Sequence, residues 1–531
     1  MTHPYEHQLA DLFAFLHPEM ALVFCACVLF IGGLFRSDRN LWGGVALGGI
    51  AAAFLLHLMS PAAPKVADNF GVPLLFDSLA LLTRVLALAT GVVFLLLAWH
   101  EMPEGQAADH HACLLVIIAG VSLVGASNDL VTLFLALEMI SIPTYVLLYL
   151  PRHDDASQEA SIKYFLLSIF SSGLTLFGFS YLFGLTGTTN IAGILQVLYG
   201  ANAEQGKEIS GLAQIAMLTI AAGLGFRITA VPFHFYAPDV FQGTSTSGAA
   251  FLSYIPKVAG FVAIVRVFGF IVPAEVSMGD HRPLVGIALS EQAPTLFWFL
   301  AALTMTVGNF LALLQDNLKR LLAYSSIAHA GYMLVALASA SYLSGPDMPT
   351  SGIAALLFYL IAYGTMTFGI FAVILMLNRP ERPVENVDDL AGLAKSHPRI
   401  ALMVAVLLLS FMGFPLTAGF TGKFQIFFGA MSVQSPNAAW LYPTLALIGM
   451  LNAAIGAWYY LRIISVMYLR DSVKPIETRG PMTGLAALAI CAVLTVVLSV
   501  PPGSSWILGA VRHTTQRPEK AAINAVNGIA P

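Results

Sequence analysis

The chain has 531 residues, of which 58% are hydrophobic and only 10% charged, with a formal net charge of −4. Soluble domains carry about 25% charged residues, and a soluble enzyme of this composition would expose far too much apolar surface, so the composition implies a polytopic membrane protein. There is no basic patch mixed with aromatics, which excludes nucleic-acid recognition, and the four cysteines, Cys25, Cys27, Cys113 and Cys491, lie in apolar runs without zinc-ligand spacing.

The N-terminus, MTHPYEHQLADLF, lacks the basic region of a cleavable signal. The first apolar segment is therefore read as a retained span. A span needs about 20 predominantly apolar residues. Segments of that kind are predicted at Glu19–Phe35, Leu41–Met59, Leu74–Trp99, Ala112–Ala126, Asp129–Leu150 and Gln158–Phe183. The seventh runs Gly211–Val231 and continues in a broken half to about Val240; the eighth is Thr246–Val272. Spans nine to eleven are Thr295–Leu314, Leu318–Ala340 and Gly352–Leu377. The twelfth, Ile400–Phe414, restarts as Thr417–Met431, and the last two are Trp440–Leu469 and Thr483–Val500. The expected fold is thus all-α, with about fourteen transmembrane helices.

Lysine and arginine are biased between the alternating loops, about twelve on one side against six on the other. With an even number of spans, that bias puts both termini on the non-cytoplasmic side. Two interruptions stand at corresponding places. AVPFHF breaks span seven and GFPLTAGF breaks span twelve, each in the fourth span of a five-span block. Paired interruptions of this kind mark the site in inverted-repeat transporters, and an odd number of spans per block inverts the second. The organisation expected is residues 1–111 for spans one to three, 112–272 and 273–469 for two inverted five-helix repeats, and 470–531 for the last span and tail.

Ionisable residues inside such spans are expensive to bury and usually mark an ion pathway or a buried pair. Glu138, in LFLALEMISIP, falls near mid-bilayer in span five. It stays charged only beside a cation, which Arg227 or Lys163 could supply. Lys163, in SIKYFLLS, either turns inward or snorkels to the surface. Arg227 precedes the Pro232 break and cannot give up its proton, so it serves as a fixed charge. His234, just past the break, relays protons or merely bonds a freed carbonyl. Lys257, in YIPKVAG, is isolated at mid-span next to Pro256. His329 lies three turns into span ten, and Lys423 follows the break in span twelve. Together they predict a row of polar groups able to pass protons across the bundle. Arg84 and Arg462 are read as local pairs or contacts to a neighbouring chain. Asp77 and Asp129 suit the starts of helices. No phosphate loop, haem-ligand pair or nucleophile constellation accompanies the row, so the chain is expected to hold no cofactor and to depend on a partner for energy.

The stretches DLVTLFLALEMISIPTYVL, EASIKYFLLSIFSSG, FRITAVPFHFYAPDVFQG, LKRLLAYSSIAHAGY and GFPLTAGFTGKFQIF resemble the antiporter-like membrane subunits of bacterial NADH:quinone oxidoreductase, respiratory complex I, over about Asp129 to Tyr468. The resemblance is greatest to the N-type branch. The length suits fourteen spans, no long lateral helix follows, and Lys423 stands where M-type chains carry an acid. It implies a proton-pumping module of the membrane arm beside M-, K- and J-type subunits. NADH, FMN, iron–sulfur clusters and quinone would be bound by partner subunits. The family's glutamate of span five falls on Glu138, and its lysines of spans six, eight and twelve fall on Lys163, Lys257 and Lys423. Its usual span-seven lysine is replaced by Arg227. A multisubunit Na⁺/H⁺ (Mrp-type) antiporter component shares the same helical core and is the alternative reading.

Overall fold

The computed structural model describes residues 4–60, 73–151, 154–194, 197–198, 211–268, 292–340, 351–379, 382–433, 440–471, 477–478, 482–500 and 509. Among the described residues eleven helices are long and apolar enough to cross a membrane, and three shorter apolar helices, Gly211–Arg227, Pro398–Met412 and Gly484–Val497, occupy the places of spans seven, twelve and fourteen. Fourteen helical segments thus follow the order read from the sequence. Lys65, Arg152, Lys207, Arg282, Lys474, Arg479, Arg512, Arg517 and Lys520, on which part of the charge bias rests, lie outside the described residues.

Short polar side chains set the helix starts. Asp38, Asp77, Asp129, Asp154, Ser245, Ser351 and Thr417 each accept a hydrogen bond from a backbone N–H in the first turn of the helix that follows, satisfying donors that have no partner within the helix. Several boundaries differ from the expected ones. Span one begins at Pro4 instead of Glu19, because Pro18 is accommodated inside the helix and the amphipathic ADLFAF segment continues it. Span four begins at Ala107 instead of Ala112, since His110 and His111 are buried among Phe94, Trp99 and each other. Three short strands, Leu377–Arg379, Arg382–Pro383 and Glu477–Thr478, pair antiparallel outside the helical bundle and carried no sequence signal.

The bundle has an inner and an outer set of helices. Span eight, Thr246–Val267, is buried from Ser247 to Val267, and spans four, ten and eleven are almost as enclosed. Spans one, two, five, six, nine and thirteen bury less than half of their apolar windows and present the remainder outward, as lipid-facing helices do. Small residues permit the close approaches. A Cβ on Gly308 of span nine would lie 2.6 Å from the Ala328 nitrogen of span ten, and one on Gly331 would lie 2.5 Å from the Met305 nitrogen, the small-residue packing expected between membrane helices.

The charges expected to be structural pair locally. Arg84 of span three forms a two-point ion pair with Glu19 of span one, Nε to Oε1 at 2.7 Å and Nη2 to Oε2 at 3.0 Å, and also donates to the Phe15 carbonyl. Ser122 of span four donates to the same carboxylate. Arg462 pairs with Asp316 at the end of span nine. Removing one member of the Glu19–Arg84 pair strands a buried charge. Arg84→Leu is expected to destabilise the subunit by about 3–5 kcal/mol, whereas Glu19→Leu with Arg84→Leu costs clearly less. Thermal unfolding of the detergent-solubilised subunit checks this; equal losses in the single and double variants would contradict it.

Candidate functional site: two broken helices and a buried polar row

Span seven breaks where the sequence placed the interruption. Its first half ends at Arg227 and its second runs Ala237–Gly243. Between them Thr229 adopts a left-handed backbone with φ of 58° and the Val231–Pro232 peptide is cis. The freed backbone groups find partners: Ala230 N–H donates to the Gly225 carbonyl at 2.8 Å, Val231 N–H to Thr304 Oγ1 of span nine at 3.0 Å, and the Tyr236 hydroxyl to the Phe226 carbonyl at 3.1 Å. Irregular backbone at such depth is tolerated where protein surrounds it and resupplies its hydrogen bonds.

Arg227, the last residue of the first half, lies at the negative end of that half-helix. Its guanidinium reaches span five. Nη2 is 3.2 Å from Glu138 Oε1, and Nη1 donates to Ser141 Oγ at 2.9 Å and to the Leu137 carbonyl at 3.3 Å. Ser172 of span six completes the cluster by donating to the same Glu138 oxygen at 2.6 Å. Arg227 is therefore the cation paired with Glu138.

Lys163 is not. Its side chain is 38% exposed, with the ammonium 2.9 Å from Asp239 and 2.6 Å from Glu159, so the outward of its two expected placements holds. Ser172, which does meet Glu138, lies nine residues further along the helix, or roughly 13 Å at 1.5 Å per residue. Lys163 belongs instead to the mouth of the break. Asp239, in the second half of span seven, also accepts from Arg320 of span ten at 2.7 Å. His234 is half-buried in the break. Among the described residues no hydrogen bond joins its imidazole to Glu138, Arg227 or Lys257.

A second cluster lies on one face of span ten, where Ser326, His329 and Tyr332 follow at intervals of three residues, the spacing that keeps side chains on one side of a helix. Lys257 Nζ donates to Ser326 Oγ at 2.6 Å, and the Tyr363 hydroxyl donates to that oxygen at 2.8 Å. One turn on, His329 is held by two phenols: Nδ1 is 2.6 Å from Tyr359 Oη and Nε2 is 3.0 Å from Tyr460 Oη. The Tyr363 ring centroid is 5.3 Å from that of His329, so Tyr363 touches both the lysine's hydroxyl partner and the histidine. One turn further, Lys423 Nζ stands 4.7 Å from the Tyr332 ring centroid.

Lys423 explains the second break. Span twelve stops at Met412, Gly413 takes φ of +86°, and the helix restarts at Ala418. The Phe411 and Met412 carbonyls at the end of the first half have no intrahelical donor. Lys423 reaches back from the second half and donates to them at 2.7 and 3.1 Å. An ammonium here is held by helix-end carbonyls, and among the described residues no carboxylate pairs with it.

The two clusters meet at Gly260, three residues beyond Lys257, where a Cβ would lie 3.3 Å from Arg227 Cβ and 2.6 Å from Ile228 Cγ2. Of the seven candidates, Glu138 and Arg227 form one pair, and Lys257, His329 and Lys423 share the span-ten face. Lys163 and His234 stand apart. The sequence reading missed Ser141, Ser172, Ser326, Tyr359, Tyr363 and Tyr460. Ser326–His329–Tyr332 and Tyr359–Tyr363 carried a signal, because polar groups recur at helical spacing in runs that are otherwise apolar. Among the described residues no group of three or more histidine, cysteine or acidic side chains is placed to hold a metal.

Two interrupted helices with buried cations at their breaks, set in a bundle of fourteen helical segments, define the antiporter-like class of membrane subunit. Residues 127–449 match the family model described as NADH:quinone oxidoreductase/Mrp antiporter, TM. The chain is 36% identical over 504 residues, covering 94% of this chain and 96% of its relative, to NADH-quinone oxidoreductase subunit N 1 of Solibacter usitatus. It superimposes on a chain of respiratory complex I from Thermus thermophilus with a TM-score of 0.73 at 28% identity, covering 93% of this chain and 99% of that one. A chain of the Mrp complex from Dietzia sp. shares the fold, with a TM-score of 0.74, 17% identity and coverage of 97% and 99%. The chain belongs to the NADH:quinone oxidoreductase/Mrp antiporter family, in its subunit N branch.

The close contact between spans eleven and twelve tests the site's packing. A Cβ on Gly422, next to Lys423, would lie 2.4 Å from the Tyr359 ring that holds His329. Gly422→Ala is expected to displace that ring and lower stability by about 1–3 kcal/mol. Gly44→Ala, with open space around it, should be near neutral. Melting temperatures of the two solubilised variants compare them directly.

Proposed function

We propose that this chain is the proton-translocating N subunit of the membrane arm of an NADH:quinone oxidoreductase. It would lie beside M-, K- and J-type subunits in the bacterial inner membrane, with both termini on the periplasmic side. NADH, FMN, iron–sulfur clusters and quinone are assigned to partner subunits. Residues 112–272 and 273–469 are assigned to two inverted repeats, each contributing one broken helix. The observation that carries this reading is the sharing of one buried face by Lys257, His329 and Lys423, with Ser326, Tyr363 and Tyr359 between them.

The chemistry divides the row into fixed and exchanging charges. Arginine holds its proton under all ordinary conditions, so Arg227 acts as a permanent countercharge and Glu138 beside it is the group that gains or loses a proton. A lysine or histidine exchanges its proton when a neighbouring charge changes. A proton leaving Lys257 reaches Ser326 first; Tyr363 donates to that same oxygen and packs on His329, so passage toward His329 requires the Ser326 and Tyr363 hydroxyls to turn. Lys423 is held by carbonyls, which stabilise an ammonium but cannot take its proton. Electron transfer in the partner subunits supplies the energy. Lys163 and His234 are assigned to the outer mouth of the span-seven break, where they feed or drain the row.

Two substitutions test the assignment in the assembled complex. Lys257→Met is expected to leave NADH-to-quinone electron transfer measurable and to lower proton uptake into inverted vesicles by roughly ten-fold or more. Full pumping would overturn the role, and loss of assembly alone would favour a structural scaffold. Sodium-dependent proton exchange in vesicles given no electron donor would favour the Mrp-type reading. Arg227→Lys keeps a cation beside Glu138 but loses the fork that also grips Ser141 and the Leu137 carbonyl. It is expected to retain at least about half of the pumping, and complete loss in an assembled complex would show that the permanent charge is required.

A further inference from the structure

The helix that carries Lys257 is gripped at both ends by one other helix. Span three, Ser78–Ala98, begins at its capping residue Asp77 and is followed closely by Glu101. Glu101 Oε1 accepts from Thr246 N–H at 2.8 Å, and Oε2 accepts from Ser247 N–H at 2.9 Å. These are the first residues of span eight. At the far end of span eight Arg266, 4% exposed, donates through Nη1 to Asp77 Oδ2 at 2.7 Å and through Nη2 to Asp77 Oδ1 at 2.5 Å. Arg266 Nε also donates to the Gly125 carbonyl in the last turn of span four at 2.9 Å. The start of span three meets the end of span eight, and the residues after span three meet the start of span eight, so the two run antiparallel.

Each clip agrees with the dipole of the helix it holds. The carboxylate of Glu101 stands at the positive end of span eight and the guanidinium of Arg266 at the negative end. A two-point arginine–carboxylate pair and a carboxylate on backbone N–H groups are the most directional charge-assisted hydrogen bonds a protein makes. Such restraint matters on this helix. Pro256, next to Lys257, donates no hydrogen bond to the turn before it, which loosens a helix at that point. Lys257 is eleven residues from Thr246 and nine from Arg266, roughly 16 and 14 Å of helix respectively. Both clips hold the segments on either side of the proline, and the 2.6 Å bond from Lys257 to Ser326 tolerates little axial slip.

We propose that span three is a splint for the Lys257 helix, and that Asp77 and Glu101 are positioning residues that set the height of Lys257 against Ser326. The proposal rests on the proton-translocating role given to Lys257 above. It also gives the N-terminal three-helix unit, which lies outside both repeats, a part in the reaction.

The test uses the purified, fully assembled complex in inverted vesicles and reads protons moved per NADH oxidised, a ratio that reduced expression does not change. Asp77→Asn retains a good helix cap while removing the charge facing Arg266. Together with Glu101→Ala it is expected to lower the ratio toward that of Lys257→Met. Adding Arg266→Gln to Asp77→Asn removes the stranded charge and restores a neutral hydrogen-bonded clip, and should recover the ratio in part. A wild-type ratio in the assembled Asp77→Asn/Glu101→Ala complex overturns the splint. Where that complex does not assemble, Glu101→Ala alone decides: a lowered ratio supports the proposal and an unchanged one overturns it. Lys257→Met separates the two failures. If it too pumps normally, the proton-transfer reading has failed; if it alone loses pumping, only the splint has.

Discussion

An ammonium or guanidinium in the middle of a membrane needs compensation from within the protein, because no water surrounds it by default. In this chain each of three buried cations, Arg227, Lys257 and Lys423, is compensated differently. Arg227 has a carboxylate, a hydroxyl and a carbonyl. Lys257 has a hydroxyl. Lys423 has two helix-end carbonyls and an aromatic face. The break in span twelve serves this need: an unbroken helix has no spare carbonyls at mid-depth, and the broken one frees those of Phe411 and Met412 for Lys423. The interruption and the cation are two parts of one device.

The two devices are not chemically equivalent. At span seven the cation ends the first half-helix and turns to a carboxylate on span five. At span twelve the cation comes from the second half and turns back upon the first. One site therefore pairs its cation with an anion, whereas among the described residues the other surrounds its cation with helix-end carbonyls and an aromatic face. Under the role proposed above, Arg227 supplies a permanent charge at the first site.

The sequence displayed the number of spans, the two interruptions and the pairing of Glu138 with a cation, because these depend on local composition: a charge in an apolar run, or a proline and glycine where a helix should continue. The placement of Lys163 was ambiguous because a long side chain about two turns from a helix start reaches either way, and only the location of Asp239 on a different helix decides it. The phenols of Tyr359, Tyr363 and Tyr460 were overlooked for a related reason. Tyrosine is as much at home in an apolar core as in a polar row, so its role depends on which histidine or serine lies opposite. Glu19 with Arg84, and Asp77 with Arg266, join residues 65 and 189 positions apart, separations at which no spacing argument applies.

Spans eight and ten are the most enclosed helices of the bundle, and between them they present Lys257, Ser326, His329 and Tyr332. Burial that complete carries a mechanical consequence. Close-packed interiors transmit displacement, and do so by switching between discrete arrangements instead of deforming smoothly. A shift of span eight by a fraction of a turn would move Lys257 from Ser326 toward another neighbour, and the three-residue ladder on span ten supplies the next polar position one turn away. The outer helices, with apolar faces turned outward, impose little on that movement. Among the groups that hold span eight at its ends are Glu101 at its start and Asp77, paired with Arg266, at its close.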